Sequence, residues 1–348
     1  MKICHIIYSL TKGGAELMLK DIINEQSTKE KVHLVVINDR VDKNVITDIS
    51  SKVKIHLINR NPGSRNPLPI INLNFELMKI NPDIIHCHNP SAIKLVAIRF
   101  YTKTILTVHS IKKSVKDLHK YNKIIAISES VKEIMESRSK VKLKTIYNGI
   151  KFDRVKTKQN LLNYGNTLRM IQISRLVHKI KGQHVLIQAA ERLKDELGFS
   201  NFSIDFIGKG SSEQYLKDLV KQLNLKRHIS FLGEKKRSFI YNHLCEYDLL
   251  VHPAIYEGFG LTVIEAMAAK VPVLVSNIHG PMEIIKKGKY GNYFKNKDPD
   301  DCAQTILEIF NNLGKVQKVQ KEVYNYAKNN YSIKIVANKY INLYKDVL

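Results

Sequence analysis

Short β-branched, apolar runs alternate with helix-forming stretches along most of this chain, and the alternation occurs twice. In the first series the runs 2–9, 32–38, 53–58, 83–88, 104–109, 123–128 and 145–150 read as strands. The stretches 15–26, 70–80, 91–100 and the segment ending near Glu136 read as helices. Strands separated by helices imply a mostly parallel sheet covered on both faces. The hydrophilic stretch 151–166 interrupts the pattern and reads as a linker. A second α/β series follows, with strands near 168–174, 202–207, 229–232, 248–253 and 271–276, and a last helix that Ser332 could cap. The expectation is two doubly wound, Rossmann-like domains facing a central cleft, over 1–160 and 161–330. For a C-terminal helix over 331–348, packing back on the N-terminal domain is one option. In open parallel sheets, ligands sit beyond the carboxyl ends of the strands.

The most informative stretch lies beyond one such end. Tyr256-Glu257-Gly258-Phe259-Gly260-Leu261-Thr262-Val263-Ile264-Glu265 is a strand end, a glycine turn and a helix start. Backbone N–H groups at such a turn are available to an anion, and Glu257 and Glu265 bracket them. An ordinary turn with two solvated acids fits the same spacing. Other strand ends carry further candidates. Gly13-Gly14 precedes the first helix and allows close backbone approach of a ligand, although a plain turn reads the same way. It is not the spaced fingerprint of dinucleotide enzymes. His86, His88 and His109 end strands of the first series, yet their spacing makes no convincing metal set. Arg175 and Lys181, in the loop after the first strand of the second series, suit a diphosphate, as a fork and a point charge. A solvated basic loop is the plain alternative.

Composition narrows the partners. No run approaches the ~20 apolar residues of a membrane span, and the N-terminus reads as a buried strand rather than a signal peptide. Four dispersed cysteines suggest neither a disulfide framework nor a zinc site, which favours a reducing, cytoplasmic setting. The net charge of +24 is denser in residues 1–160 than beyond. It favours an anionic substrate or membrane surface, while no nucleic-acid-binding signature accompanies it.

Taken in order, these motifs resemble the GT-B glycosyltransferases of family 4, retaining enzymes that use nucleotide sugars in bacterial polysaccharide synthesis. The resemblance covers nearly the whole chain: Gly13-Gly14-Ala15-Glu16, His109, Asn148-Gly149, Arg175 with Lys181-Gly182, Gly208-Lys209-Gly210, Glu257 through Glu265, and Gly280-Pro281-Met282-Glu283. One departure is Ser174 where the family usually has glycine before Arg-Leu.

The resemblance implies roles. Glu257 contacts the donor sugar and Glu265 the ribose hydroxyls. Arg175 and Lys181 neutralise the leaving diphosphate, with backbone N–H groups at Phe259, Gly260, Leu261 and Thr262 beside Gly258. Gly208 and Gly210 border the nucleobase. Gly13, Gly14 and His109 complete the donor site from the other domain. No cofactor or metal is implied; the nucleotide sugar, expected to be UDP-linked, is a substrate. The only useful Asp-x-Asp match, Asp298-Pro299-Asp300, reads as a helix start. The expected acceptor is a lipid-linked saccharide for O-antigen or capsule. The basic first half, including Lys112, Lys113, Lys116, Lys120 and Lys123, would dock on the anionic cytoplasmic face of the inner membrane. Nucleic acid is not an expected partner.

Overall fold

Strands buried on both faces need no polar alternation, and the sequence obeys this. The structure is a computed structural model that describes residues 1–11, 13–110, 114–159 and 167–348. It divides into two units, Met1–Ile150 with Tyr331–Leu348, and Lys151–Asn330.

The first unit holds seven strands, β1 (Lys2–Ile7), β2 (Lys31–Asn38), β3 (Lys54–Arg60), β4 (Ile84–Cys87), β5 (Thr104–Val108), β6 (Lys123–Ala126) and β7 (Lys144–Thr145). They form one sheet in the order β3-β2-β1-β4-β5-β6-β7, and every pair is parallel. Its helices are α1 (Gly14–Gln26), α2 (Lys43–Thr47), α3 (Leu68–Ile80) and α4 (Glu129–Ser139). The Ser128 hydroxyl caps α4 by accepting from Val131 N at 3.1 Å. The expected helix over 91–100 is instead two 3-10 segments, Pro90–Leu95 and Ile98–Lys103. Asn74 on α3 explains the break: its amide donates to Leu95 O and accepts from Ala97 N, each at 2.8 Å. Backbone groups that an α-helix would pair internally are taken by a side chain.

The second unit has β8 (Leu168–Ile173), β9 (Phe202–Ile207), β10 (Ile229–Gly233), β11 (Leu249–His252), β12 (Val273–Ser276) and β13 (Asn292–Phe294). Their order is β10-β9-β8-β11-β12-β13, again all parallel. Its helices are α5 (His178–Lys181), α6 (Gln183–Asp195), α7 (Glu213–Gln222), α8 (Arg237–His243), α9 (Leu261–Ala268), α10 (His279–Ile284), α11 (Pro299–Asn311), α12 (Leu313–Lys318) and α13 (Gln320–Tyr331). On α6, Leu186, Ala189, Ala190 and Leu193 lie on one face and fill the core against Met170, Phe206 and Ile306. Asp298 caps α11 by accepting from Asp301 N, so the Asp-x-Asp match is a helix start, as its sequence suggests.

The boundary between units falls between Ile150 and Lys151, not between 160 and 161. The residues after Ile150 are anchored to the second unit. Phe152 is buried against Tyr324, and Lys156 N and Lys158 N donate to Tyr241 O and Ala269 O. Lys158 Nζ also reaches Asp248 at 2.6 Å. The remainder of the expected linker, 160–166, lies outside the described residues. The chain then returns to the first unit. Ile150 N donates to Tyr331 O and Ile333 N to Ile150 O, and α14 (Ile333–Lys345) follows, capped by Ser332. Gly149 lies against this return. A Cβ there would stand 2.7 Å from Tyr331 O and 2.8 Å from Val336 Cγ2, so the position serves close packing of this return.

Candidate active site

Each sheet has one place where strand order reverses, and that crevice is the natural ligand site of an open parallel sheet. In the second unit it lies between β8 and β11, which pair as Leu249 with Met170 and Leu250 with Ile171. The β8 end runs into Ser174, Arg175 and α5; the β11 end runs into Pro253 and the Glu257 turn. Gly182, with φ of +66°, joins α5 to α6, and a Cβ there would lie 1.7 Å from Pro253 O. Only glycine allows this approach of the two loops. Ile255 N and Tyr256 N both donate to Ile180 O, at 2.9 and 3.1 Å, fixing the Glu257 turn against α5.

That packing brings opposite charges together. Lys181 Nζ stands 2.5 Å from Glu257 Oε2, and His252 Nε2 is 3.7 Å from the same oxygen. Burial pushes the Glu257 carboxyl up, but the His252 ring and the Lys181 ammonium outweigh it and hold the group well below the usual carboxylate range. Glu257 is therefore an anion and a hydrogen-bond acceptor at neutral pH, not a proton donor. Thr262 Oγ1, in the first turn of α9, lies 3.3 Å from His252 Nδ1. Gly260 precedes α9 with φ of +112°. As at any helix start, the first N–H groups of α9 have no acceptor one turn earlier. The start of α10 closes the turn from behind: a Cβ on Gly280 would meet Glu257 O at 2.7 Å and Phe259 N at 2.8 Å.

Arg175, in the loop after β8, is exposed, and its side chain makes no hydrogen bond or ion pair among the described residues. Its own carbonyl accepts from Gln183 Nε2 at 2.8 Å, which holds the backbone while the guanidinium points outward from the core. The Gly208-Lys209-Gly210 loop sits on the same segment, with Leu176 N donating to Lys209 O at 3.0 Å. The loops after β8 and β11 thus carry a fork-like cation, an ammonium, a fixed carboxylate and a helix N-terminus at one strand crossover. They suit a doubly phosphorylated ligand carrying hydroxyl groups.

Comparison with known proteins agrees with this chemistry. The family model described as Glycosyl transferases group 1 matches residues 153–330, and that described as Glycosyltransferase Family 4 matches residues 12–154. The chain belongs to the glycosyl transferases group 1 family. An uncharacterized glycosyltransferase of Methanocaldococcus jannaschii is 30% identical over 239 residues, which are 64% of this chain and 59% of that protein. A second from the same organism is matched over 66% of its length, so the chain aligns with less than two thirds of these two relatives. The N-acetylgalactosamine-N,N'-diacetylbacillosaminyl-diphospho-undecaprenol 4-alpha-N-acetylgalactosaminyltransferase of Campylobacter jejuni is 25% identical over 312 residues, 82% of this chain and 83% of that enzyme. Among solved structures, a glycosyltransferase from Rickettsia africae superposes with a TM-score of 0.82 at 21% identity, covering 99% of this chain and 98% of that one. Anabaena HepE in complex with UDP and glucose superposes with a TM-score of 0.81 at 20% identity, covering 99% and 100%. These structures establish the GT-B fold.

Within this group 1 transferase, the loops after β8 and β11 carry Arg175, Lys181, Glu257, Gly258, Gly260, Leu261 and Thr262. Phe259 is a core residue, 2% exposed, so only its backbone could face a ligand. Glu265 is buried on α9, and its Oε1 lies 3.3 Å from Arg237 Nε. Gly13, Gly14 and His109 belong to the first unit. Gly13 is the N-cap of α1 and Gly14 its first residue. A Cβ on Gly14 would meet nothing within 4 Å, so no packing of this chain accounts for glycine there. The sequence reading missed His252 and Arg237. His252 ends a strand, a position that singled out other histidines, but Arg237 carries no local signal and lies 28 residues before its partner.

Proposed function

We propose that the chain is a retaining, metal-independent transferase that moves a sugar from a nucleotide sugar, UDP-linked, to a lipid-linked saccharide during surface polysaccharide synthesis. The observation that carries this reading is the Lys181–Glu257 pair at the β8–β11 crevice, with Arg175 exposed on the loop after β8. Arg175, Lys181 and the α9 N-terminus take the diphosphate and stabilise the charge that develops as it leaves, in place of a divalent cation. Glu257, an anion, accepts hydrogen bonds from the donor sugar. Glu265 accepts from the ribose, oriented by Arg237. The bond from the anomeric carbon to the diphosphate oxygen breaks, and the acceptor oxygen bonds to the same face. The acceptor proton passes to the departing diphosphate, so Glu257 need not serve as nucleophile. The UDP in the Anabaena structure and the diphospho-undecaprenol acceptor named for the Campylobacter relative support the choice of donor and acceptor classes.

A membrane-bound acceptor requires a membrane-facing surface, and α3 supplies one. Its inner face, Leu73, Leu77 and Ile80, is buried. Its outer face carries Leu68, Ile71, Phe75 and Met78 at helical spacing, and these with nearby Ile98 range from 44% to 79% exposed. A helix apolar on both faces belongs in a core or against lipid. Arg65, Lys79 and Arg99 are exposed in and around these segments, and the one acid of α3, Glu76, is paired with Lys79 and His56. These features support a lipid contact on α3. Of the lysines expected to dock, Lys112 and Lys113 lie outside the described residues and Lys120 is paired with Asp117. No helix among the described residues is long and apolar enough to cross a membrane.

The test is a panel of nucleotide sugars incubated with the protein and membrane lipid extract, read by mass shift, with and without EDTA. One donor should add one sugar to a lipid regardless of EDTA. EDTA inhibition reversed by Mg²⁺ would overturn the metal-free assignment, and donor binding with no transfer would make the chain a noncatalytic binding subunit.

A further inference from the structure

The first sheet contains a row of histidines whose inner three, His5, His86 and His88, have no direct part in the proposed transfer. Side chains two apart on a strand share a face. His86 and His88 are two apart at the end of β4, Thr107 and His109 at the end of β5, and His5 on β1 pairs in register with His86. All five therefore project to one face of the sheet. Gln26, at the end of α1, and Tyr340 and Tyr344, on α14, reach the same cluster. His5, His86, Gln26 and Tyr344 are fully buried, and His88, Thr107 and Tyr340 are nearly so.

Every ring nitrogen of the three inner histidines is hydrogen-bonded. His5 Nε2 faces Gln26 Oε1 at 2.8 Å and His5 Nδ1 faces His88 Nε2 at 3.1 Å. His88 Nδ1 faces His109 Nε2 at 3.2 Å. His86 Nδ1 faces the Tyr344 hydroxyl at 2.6 Å, and its Nε2 faces Thr107 Oγ1 at 2.7 Å. Ligand atoms of His5, His86 and His88 lie within 4.8 Å of one another, but with all six nitrogens engaged the cluster is a hydrogen-bonded network rather than a ligand set. Burial holds His5 down at about 4 and pushes His86 and His88 well below the usual histidine range. The three rings are neutral.

A neutral imidazole has one donor and one acceptor nitrogen, so a row of them has a direction. The Gln26 amide fixes it, because its two ends are chemically different. Gln26 Oε1 accepts from His5 Nε2, and Gln26 Nε2 donates to the Tyr344 hydroxyl at 3.3 Å. His5 Nδ1 must then accept from His88 Nε2, and His88 Nδ1 from His109 Nε2. His109 Nε2 is thus the donor to His88 Nδ1. On the other branch Tyr344 donates to His86 Nδ1, and His86 Nε2 donates to Thr107. Turning the Gln26 amide over would reverse every bond in the row.

We propose that Gln26, His5 and His88 are positioning residues that hold the His109 ring in one orientation and one tautomer, with Nε2–H directed at His88 Nδ1. This rests on the reading of His109 as a sugar-contacting residue. Such supporting hydrogen bonds are how a site keeps a functional imidazole in register.

The experiment uses the full chain with ¹⁵N-labelled histidine, long-range ¹H–¹⁵N correlation spectra, and hydrolysis of UDP-glucose as the activity probe. The spectrum of His109→Ala assigns the His109 signal. In the unsubstituted protein His109 should be protonated at Nε2. Gln26→Met removes the anchor. Tyr344→Phe, which keeps the apolar volume should Gln26→Met fail to fold, releases the amide to turn. Each should give a mixture of His109 tautomers and slow hydrolysis roughly tenfold, the scale of one lost orienting hydrogen bond, with KM for UDP-glucose within about twofold. The loss should vanish in the His109→Ala background, which a merely structural effect would not do. A His109 signal unchanged by both substitutions, or a loss that persists without His109, overturns the proposal. Full hydrolysis by His109→Ala instead removes the sugar-contact reading, while the tautomer shift still reports on the row.

Discussion

At the scale of single residues, geometry separates groups that hold the fold from groups that await a ligand. Arg175 is exposed and unpartnered among the described residues. Arg175→Ala should therefore change unfolding free energy by no more than about 0.5 kcal/mol. It should lower kcat by roughly a hundredfold or more, as when one charge-stabilising donor is lost. A large fall in stability with little change in kcat would make Arg175 structural. Gly14 gives a second separation. Nothing in the chain meets a Cβ there, and alanine is the better helix former. Gly14→Ala should keep or raise the melting temperature yet reduce turnover, read by calorimetry and by donor hydrolysis side by side. Lys181 differs because it touches Glu257. Lys181 helps to depress the carboxyl against the upward push of burial. Lys181→Ala should thus move the acid limb of the pH–rate profile upward. For the intact pair the sign is that of any depressed carboxylate: its stabilisation is present above the ordinary carboxylate pKa and is lost as pH falls through the lower folded value. Arg175 and Gly14 were readable in sequence because one follows a strand and the other opens a helix, and Lys181 because it lies in the same strand-to-helix segment as Arg175. The Arg237–Glu265 pair was not, since only the fold brings α8 to α9.

At the scale of elements, the strands were legible and the ends of segments were not. Continuous apolar runs such as Leu249-Leu250-Val251 can only be buried strands in a sheet covered on both faces. The 90–103 region looked helical because its composition is helical; Asn74, distant in sequence, diverts its backbone groups. The outer stripe of α3 was equally present in the sequence, at spacings of three and four, but reads as a core face until the structure shows which side is covered. That stripe carries a prediction. Ile71→Asp with Phe75→Asp should abolish sedimentation with vesicles containing anionic lipid and leave hydrolysis of a soluble donor intact. Equal sedimentation of both proteins would move the lipid contact elsewhere, and a shift from dimer to monomer on substitution would make the stripe a contact between copies of the chain.

At the scale of the molecule, the chain leaves the first unit at Ile150 and returns at Tyr331. The second unit is continuous and encloses its own core, from Leu168 to Leu313. The first unit is not continuous: α14 packs Tyr340 and Tyr344 into it, both essentially inaccessible to water, and its backbone pairs with Ile150. The charge and pattern of 151–166 concealed this, because Phe152 stands among the charged residues Lys151, Asp153 and Arg154, and the burial of Lys158 depends on Asp248, far along the chain. The two units should therefore respond differently to the loss of the C-terminus. Ending the chain at Asn330 removes both tyrosines and the strand-like partner of Ile150, and uncovers the Gln26–His86 cluster. Burying a large side chain contributes about 1.5–3 kcal/mol, so losing two, with their hydrogen bonds, removes a large share of a typical domain stability. Hydrogen exchange on the truncated protein should show β1, β4 and β5 losing protection while β8, β11 and β12 keep it. Retained protection in β1 would mean that the first unit folds without α14, and uniform loss in both sheets would mean that the units unfold as one.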